Sequence, residues 1–162
     1  MRVRKLVALT LGVLTLMTLM ASPAKAEHFG KRCDDVGLWR GGQYRSIADM
    51  CVMVNKRDFD FGKVEALADV GNEDPGAYWG TIEWRWDWVH IYKDGNFVEG
   101  VGPTGWMTGS NDSFSTDWIQ CGNFQSHTFR AVARYQMRAF KNGDFEVTDW
   151  FTLSSATVTL CG

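Results

Sequence analysis

The chain has 162 residues, with 17 Lys plus Arg against 19 Asp plus Glu and a net charge of −2. Four of the basic residues (Arg2, Arg4, Lys5, Lys25) and no acid fall in the first 26 positions, which leaves 13 basic against 19 acidic residues, a net of −6, in the remainder. An acidic chain without clustered cations is not expected to bind nucleic acid, and a composition of 45% hydrophobic and 22% charged residues excludes wholesale disorder.

Met1 to Lys5 is a short basic region and Leu6 to Ala21 is apolar and uncharged. Ala24-Lys25-Ala26 supplies the two small residues that a signal peptidase reads, so residues 1–26 are a predicted signal peptide, cleaved before Glu27. The apolar run is short of the roughly 20 residues of a comfortable membrane span. No long apolar stretch follows it, so no membrane association is expected after cleavage. Residues 27–162 are expected to form one secreted domain and to act as a monomer.

The cysteines are Cys33, Cys51, Cys121 and Cys161. An even count in an exported chain indicates disulfides, and no C-x2-C spacing suggests zinc. Of the three pairings, Cys33–Cys51 and Cys121–Cys161 close the shortest loops and are the expected ones. Trp39 and Arg40 sit in Gly37-Leu38-Trp39-Arg40-Gly41-Gly42, which reads as a loop.

Ser46 to Val54 carries both helical and strand spacings, and the β-rich surroundings favour a strand. Gly62 to Val70 alternates Val64, Ala66, Ala68 and Val70 against Lys63, Glu65, Leu67 and Asp69, a short strand. Asp58, Asp60 and Gly62 lack a calcium-loop spacing, and Asn72-Glu73-Asp74 before Pro75-Gly76 reads as a solvated turn.

From Tyr78 to Val101 the period is two. Trp84, Trp86, Trp88, His90 and Tyr92 share one parity, with Glu83, Arg85 and Asp87 on the other. This predicts one long strand with an aromatic face, at least two of its Trp residues in the core. Asp94-Gly95 closes a two-residue hairpin. The implied register sets Lys93 opposite Asn96, Tyr92 opposite Phe97, Ile91 opposite Val98 and His90 opposite Glu99. Trp106 and Met107 follow in the Gly-rich stretch from Gly102 to Ser110, and Asn111-Asp112-Ser113 is a glycosylation sequon.

Ser115 to Cys121 is a weaker strand candidate. Phe129, Ala131, Ala133, Tyr135, Met137 and Ala139 then alternate with Arg130, Val132, Arg134, Gln136 and Arg138, and Asn142-Gly143 closes a second hairpin. The return strand, Asp144 to Phe151, is predicted to set Phe140 opposite Phe145 and Gln136 opposite Asp149. Thr152 to Leu160 reads as the terminal strand. The expected fold is all-β: a single antiparallel β-sandwich, with a small barrel as the alternative, braced by two disulfides.

No metal or cofactor motif is present, and no G-x-S-x-G nucleophile motif. The residues therefore point first to a secreted, non-catalytic binding module. Its expected contact residues are Trp39, Arg40, Trp106 and Met107, and its partner a carbohydrate or cell-surface ligand, or an extracellular protein. A secreted hydrolase is the alternative, with Glu83, Asp87, His90 and Glu99 as the acid–base candidates. A protease inhibitor or antagonist with an inserted 102–113 loop is the third. Arg130, Arg134 and Arg138 recur at steps of about 13 Å along one face. That stripe suits an acidic ligand, or else is a solvated face neutralised by Glu146 and Asp149.

Overall fold

The computed structural model describes residues 27–57, 62–73, 78–108, 113–122 and 125–161. The leader, the Asp58 and Asp60 turn, loop residues 74–77 and the sequon at Asn111 lie outside them. The described residues form strands and turns with no helix.

Two antiparallel sheets stack face to face without closing into a barrel. The first contains β1 (Glu27–Arg40), β2 (Gln43–Arg57), β3 (Lys63–Glu73), β6 (Phe114–Ser115) and β7 (Ile119–Gln120). Its order is β1-β2-β3-β6, with β7 also on β3. The second contains β4 (Ile82–Lys93), β5 (Asn96–Val101), β8 (His127–Lys141), β9 (Asp144–Val147), β10 (Phe151–Ser154) and β11 (Val158–Leu160). Its order is β10-β8-β4-β5, with β9 and β11 also on β8.

Period two explains the layers. The predicted apolar parity of β8, from Phe129 to Ala139, is buried throughout. It faces Met50, Val52 and Val54 of β2 and Val64, Ala66, Ala68 and Val70 of β3, all buried. Ser46 to Val54 is strand, inside β2. Small Ala residues on β3 and β8 leave room for the indoles of Trp84 and Trp86, which are fully buried. The disulfides pair as expected. Cys33–Cys51 joins neighbouring strands, and Cys121–Cys161 joins the end of β7 to the end of β11 across the two sheets.

Three register expectations are corrected, each by one extra residue. On β4, Trp86 lies opposite Tyr135 but Trp88 lies opposite Arg134, so Asp87 is a bulge. The parity flips there: Trp84 and Trp86 point into the core, while Trp88, His90 and Tyr92 stand on the outer face. The aromatic residues of β4 therefore occupy two faces rather than one. On β5, Lys93–Asn96 and Tyr92–Phe97 pair as expected, but Ile91 then meets Glu99 and His90 meets Gly100. The bulge is at Val98, and His90 and Glu99 are not opposite each other. The reason is steric, since a Cβ at position 100 would stand 2.5 Å from His90 Cδ2.

On β9, Phe140–Phe145 holds, but the strand ends at Val147. Thr148 turns inward: its hydroxyl accepts from the Met137 N–H and its carbonyl accepts from the Gln136 amide. Gln136 therefore does not face Asp149, and pairing resumes with Phe151 opposite Tyr135. The expected terminal strand is accordingly two short ones, β10 and β11, separated by residues 155–157. Ser115 to Cys121 is likewise reduced to β6 and β7.

The Asp87 bulge is held from the side by Gly102. This residue has φ of 143°, and a Cβ there would stand 2.3 Å from the Asp87 carbonyl oxygen and 2.8 Å from Trp88 Cα. Gly102→Ala is expected to lower stability by about 3 kcal/mol through backbone strain and overlap. Gly105→Ala, with open space around it, should shift the urea midpoint by no more than about 0.5 kcal/mol equivalent. Equal midpoints for the two variants would refute this account of the bulge.

Candidate binding surface

The sequence from Gly37 to Gly42 is not a free loop. It is the end of β1 and a two-residue turn whose glycines, Gly41 and Gly42, have φ of 58° and 76°. Both positive angles at a tight hairpin demand glycine or a close substitute. The turn sets Trp39 opposite Tyr44. Trp39 is 74% exposed, its ring edge-on to Tyr44 at 5.8 Å. The Tyr44 hydroxyl donates to the Asp35 carbonyl at 3.0 Å, which fixes the pair. Arg40 forms an ion pair with Glu146 of β9, tying this tip to the second sheet.

Trp106 lies on the outer face of the second sheet. The Arg85 guanidinium sits 4.6 Å and the Arg138 guanidinium 4.3 Å from its ring centroid. Met107 is hydrogen-bonded both ways to Trp84, and Thr104 to the backbone of Trp86, so residues 104–107 run along the edge of β4. Arg138 also packs on Phe145, next in the chain to Glu146. The contacts Arg40–Glu146, Phe145–Arg138 and Arg138–Trp106 form a relay from the Trp39 tip to the outer face of the second sheet, without direct contact between Trp39 and Trp106. Tyr44, across from Trp39, and Val147, next in the chain to Glu146, are also exposed. Tyr44 is legible in retrospect, because a Gly41-Gly42 hairpin sets it across from Trp39.

Cations and rings interleave over the outer face. Arg134 and Arg85 both pack on Trp150, Arg85 and Arg138 on Trp106, and Arg130 on Tyr92 at 5.3 Å. The arginine stripe is neutralised from β4 rather than by Glu146 and Asp149. Arg138 pairs with Glu83, and Arg134 with Asp87 at 3.1 Å. Arg85 instead donates twice to the Gln136 amide oxygen. Arg130 has no carboxylate partner among the described residues. It lines a groove of about 270 Å³ with Tyr92, Gly95, Thr128, Phe129 and Thr157.

The acid–base candidates do not converge. Glu83 and Asp87 are engaged by arginine, and Glu99 accepts the neighbouring Gly100 N–H at 2.9 Å. His90 is stacked on Trp88 at 4.2 Å and edge-on to Phe97 at 4.9 Å. Burial by those rings lowers the His90 pKa below its ordinary 6.5. On acidification from neutral, the unfolded chain takes up the proton first. Stability therefore falls as pH drops from about 6.5 to the lower folded-state value, and no further below it. An NMR titration should place His90 below 6.5, and Phe97→Ala, which uncovers the ring, should move the midpoint upward. A midpoint unmoved by Phe97→Ala would mean that Phe97 does not supply the burial.

Fold and surfaces together define a disulfide-braced antiparallel β-sandwich with an exposed aromatic hairpin tip and an arginine–aromatic outer face. No protein-family model, curated protein or solved structure matches the chain.

Proposed function

We propose that the chain is a secreted, non-catalytic binding module, released from its leader before Glu27, that takes an extracellular carbohydrate at the end of the sandwich bearing Trp39. The supporting observation is the Trp39–Tyr44 pair. Trp39 is 74% exposed, yet its partner is pinned by a hydrogen bond, so the platform is ordered before a ligand arrives. Flat ring faces suit the apolar faces of sugars, and pre-ordering reduces the entropy lost on binding. Trp106 supports that end through Arg138 rather than standing free. Two disulfides, typical of extracellular proteins, agree with export.

The test is retention of the 27–162 protein on immobilised neutral and acidic polysaccharides, with a panel of extracellular proteins in parallel. Retention on a polysaccharide, lost in Trp39→Ala with the melting temperature unchanged, is the expected result. Unchanged retention in Trp39→Ala, or retention only on a protein, would overturn the assignment.

A further inference from the structure

The first sheet ends on one side in β1, whose outer edge has no strand beside it among the described residues. The Gly30 carbonyl is taken by the Ala156 N–H at 2.8 Å, so the open edge begins at Lys31; at its other end the Asp35 carbonyl accepts the Tyr44 hydroxyl at 3.0 Å and keeps one lone pair for a strand partner. Lys31, Arg32, Cys33, Asp34 and Asp35 are all exposed. Cys33 and Cys51 face each other with Cα atoms 4.0 Å apart, the close spacing of a non-hydrogen-bonded pair. The Cys33 N–H and C=O therefore point away from β2, toward the open edge, ready to pair with another strand.

The order of charges along this edge is two cations, the cystine, then two anions. We propose that a second copy of this chain pairs with it, β1 against β1 in antiparallel register about a twofold axis at Cys33. In that register Cys33 exchanges both backbone hydrogen bonds with the partner's Cys33. Arg32 falls opposite the partner's Asp34, and Lys31 opposite the partner's Asp35. The symmetry repeats both pairs, so four opposite charges meet and no like charges do. Alternation puts the Arg32–Asp34 pairs on one face of the joined sheet and the Lys31–Asp35 pairs on the other. None of the four side chains is in a salt bridge among the described residues, although Lys31 stands close enough to Asp69 to favour its ionised form and Asp35 accepts the Ser46 hydroxyl. Charged edges usually block strand addition. Here the sequence order makes the same charges self-complementary, which departs from the monomer expected from the sequence. The joined first sheet would have the two Trp39 tips at opposite ends, six residues from the axis each.

Sedimentation equilibrium of the 27–162 protein at low salt tests this. The wild-type chain is expected to dimerise at submillimolar concentration and to dissociate in molar salt, which screens the pairs. Asp34→Lys/Asp35→Lys and Lys31→Asp/Arg32→Asp should each weaken self-association by about tenfold or more, since like charges then face each other. Mixing the two variants should restore a heterodimer, because each supplies the charge the other lacks. Circular dichroism and melting temperature show that both variants remain folded, and the mixture serves as a control even if one is less stable. A monomeric wild-type protein, a dimer indifferent to either reversal, or a mixture that fails to associate would overturn the proposal.

Discussion

Trp86→Ala is expected to cost about 4 kcal/mol of folding stability, whereas Trp88→Ala, two residues along the same strand, is expected to cost about 1 kcal/mol. Both residues belong to one unbroken alternation in the sequence, and the Asp87 bulge separates their fates. Trp86 is fully buried, parallel to Phe114 of the first sheet at 6.5 Å and edge-on to Tyr135 of its own at 5.6 Å. It therefore spans the layers, and truncating it opens a void lined by both. Trp88 rests half-buried on His90 at the outer surface. Trp86→Phe should recover most of the loss, because the Trp86 indole N–H is buried without a hydrogen-bond partner in the structure, so nothing polar is orphaned by its removal. Urea unfolding of the three variants reads all of this. Equal losses for Trp86→Ala and Trp88→Ala would mean that the bulge does not exist in solution.

Removing Cys121–Cys161 is the second large effect. The bridge spans 40 residues of sequence, and closing such a loop in the unfolded chain contributes about 4 kcal/mol in the chain-entropy account. Cys33–Cys51 spans 18, for about 3 kcal/mol. Structure widens the gap. Cys33 and Cys51 lie on strands already joined along their length, whereas Cys121 and Cys161 close the ends of β7 and β11, strands of two and three residues on opposite sheets. Cys121→Ala/Cys161→Ala should therefore lower the midpoint more than Cys33→Ala/Cys51→Ala. It should also free the last strand, seen as faster amide exchange at Val158 to Leu160. The reverse order would show that the cross-sheet bridge adds little.

The elements legible in the sequence are those governed by neighbours in the chain. β8 is legible because alternation continues from Phe129 to Ala139, and every residue of its apolar parity is buried. Two of the three tight hairpins are legible because Asp94-Gly95 and Asn142-Gly143 suit positive φ at both central residues, and all four adopt it. The bulges are not, because their causes lie elsewhere in the chain. Gly102 packs against the Asp87 carbonyl and Gly100 makes room for the His90 ring. One slipped residue reverses every side chain beyond it, and so the predicted His90–Glu99 pair dissolves. β1 does not read as a strand in the sequence because an edge exposed on both faces has little hydrophobic alternation. The stripe of Arg130, Arg134 and Arg138 is visible in the sequence. Its neutralisation by Glu83 and Asp87 depends on the β4–β8 register, which no local pattern encodes.

β8 pairs directly with β4, β9, β10 and β11, four of the other five strands, so most of the second sheet is organised on one strand near the C-terminus. During synthesis, Trp84 and Trp86 emerge before β8, the strand that pairs with theirs. Any N-terminal fragment ending before His127 leaves β4 without its β8 neighbour, so such a fragment is expected to be unstable and the native second sheet to form only when the chain is nearly finished. Slow ordering dominated by distant strand pairings follows. Under the export proposed above, late commitment of this kind would keep the polypeptide threadable until it reaches the far side.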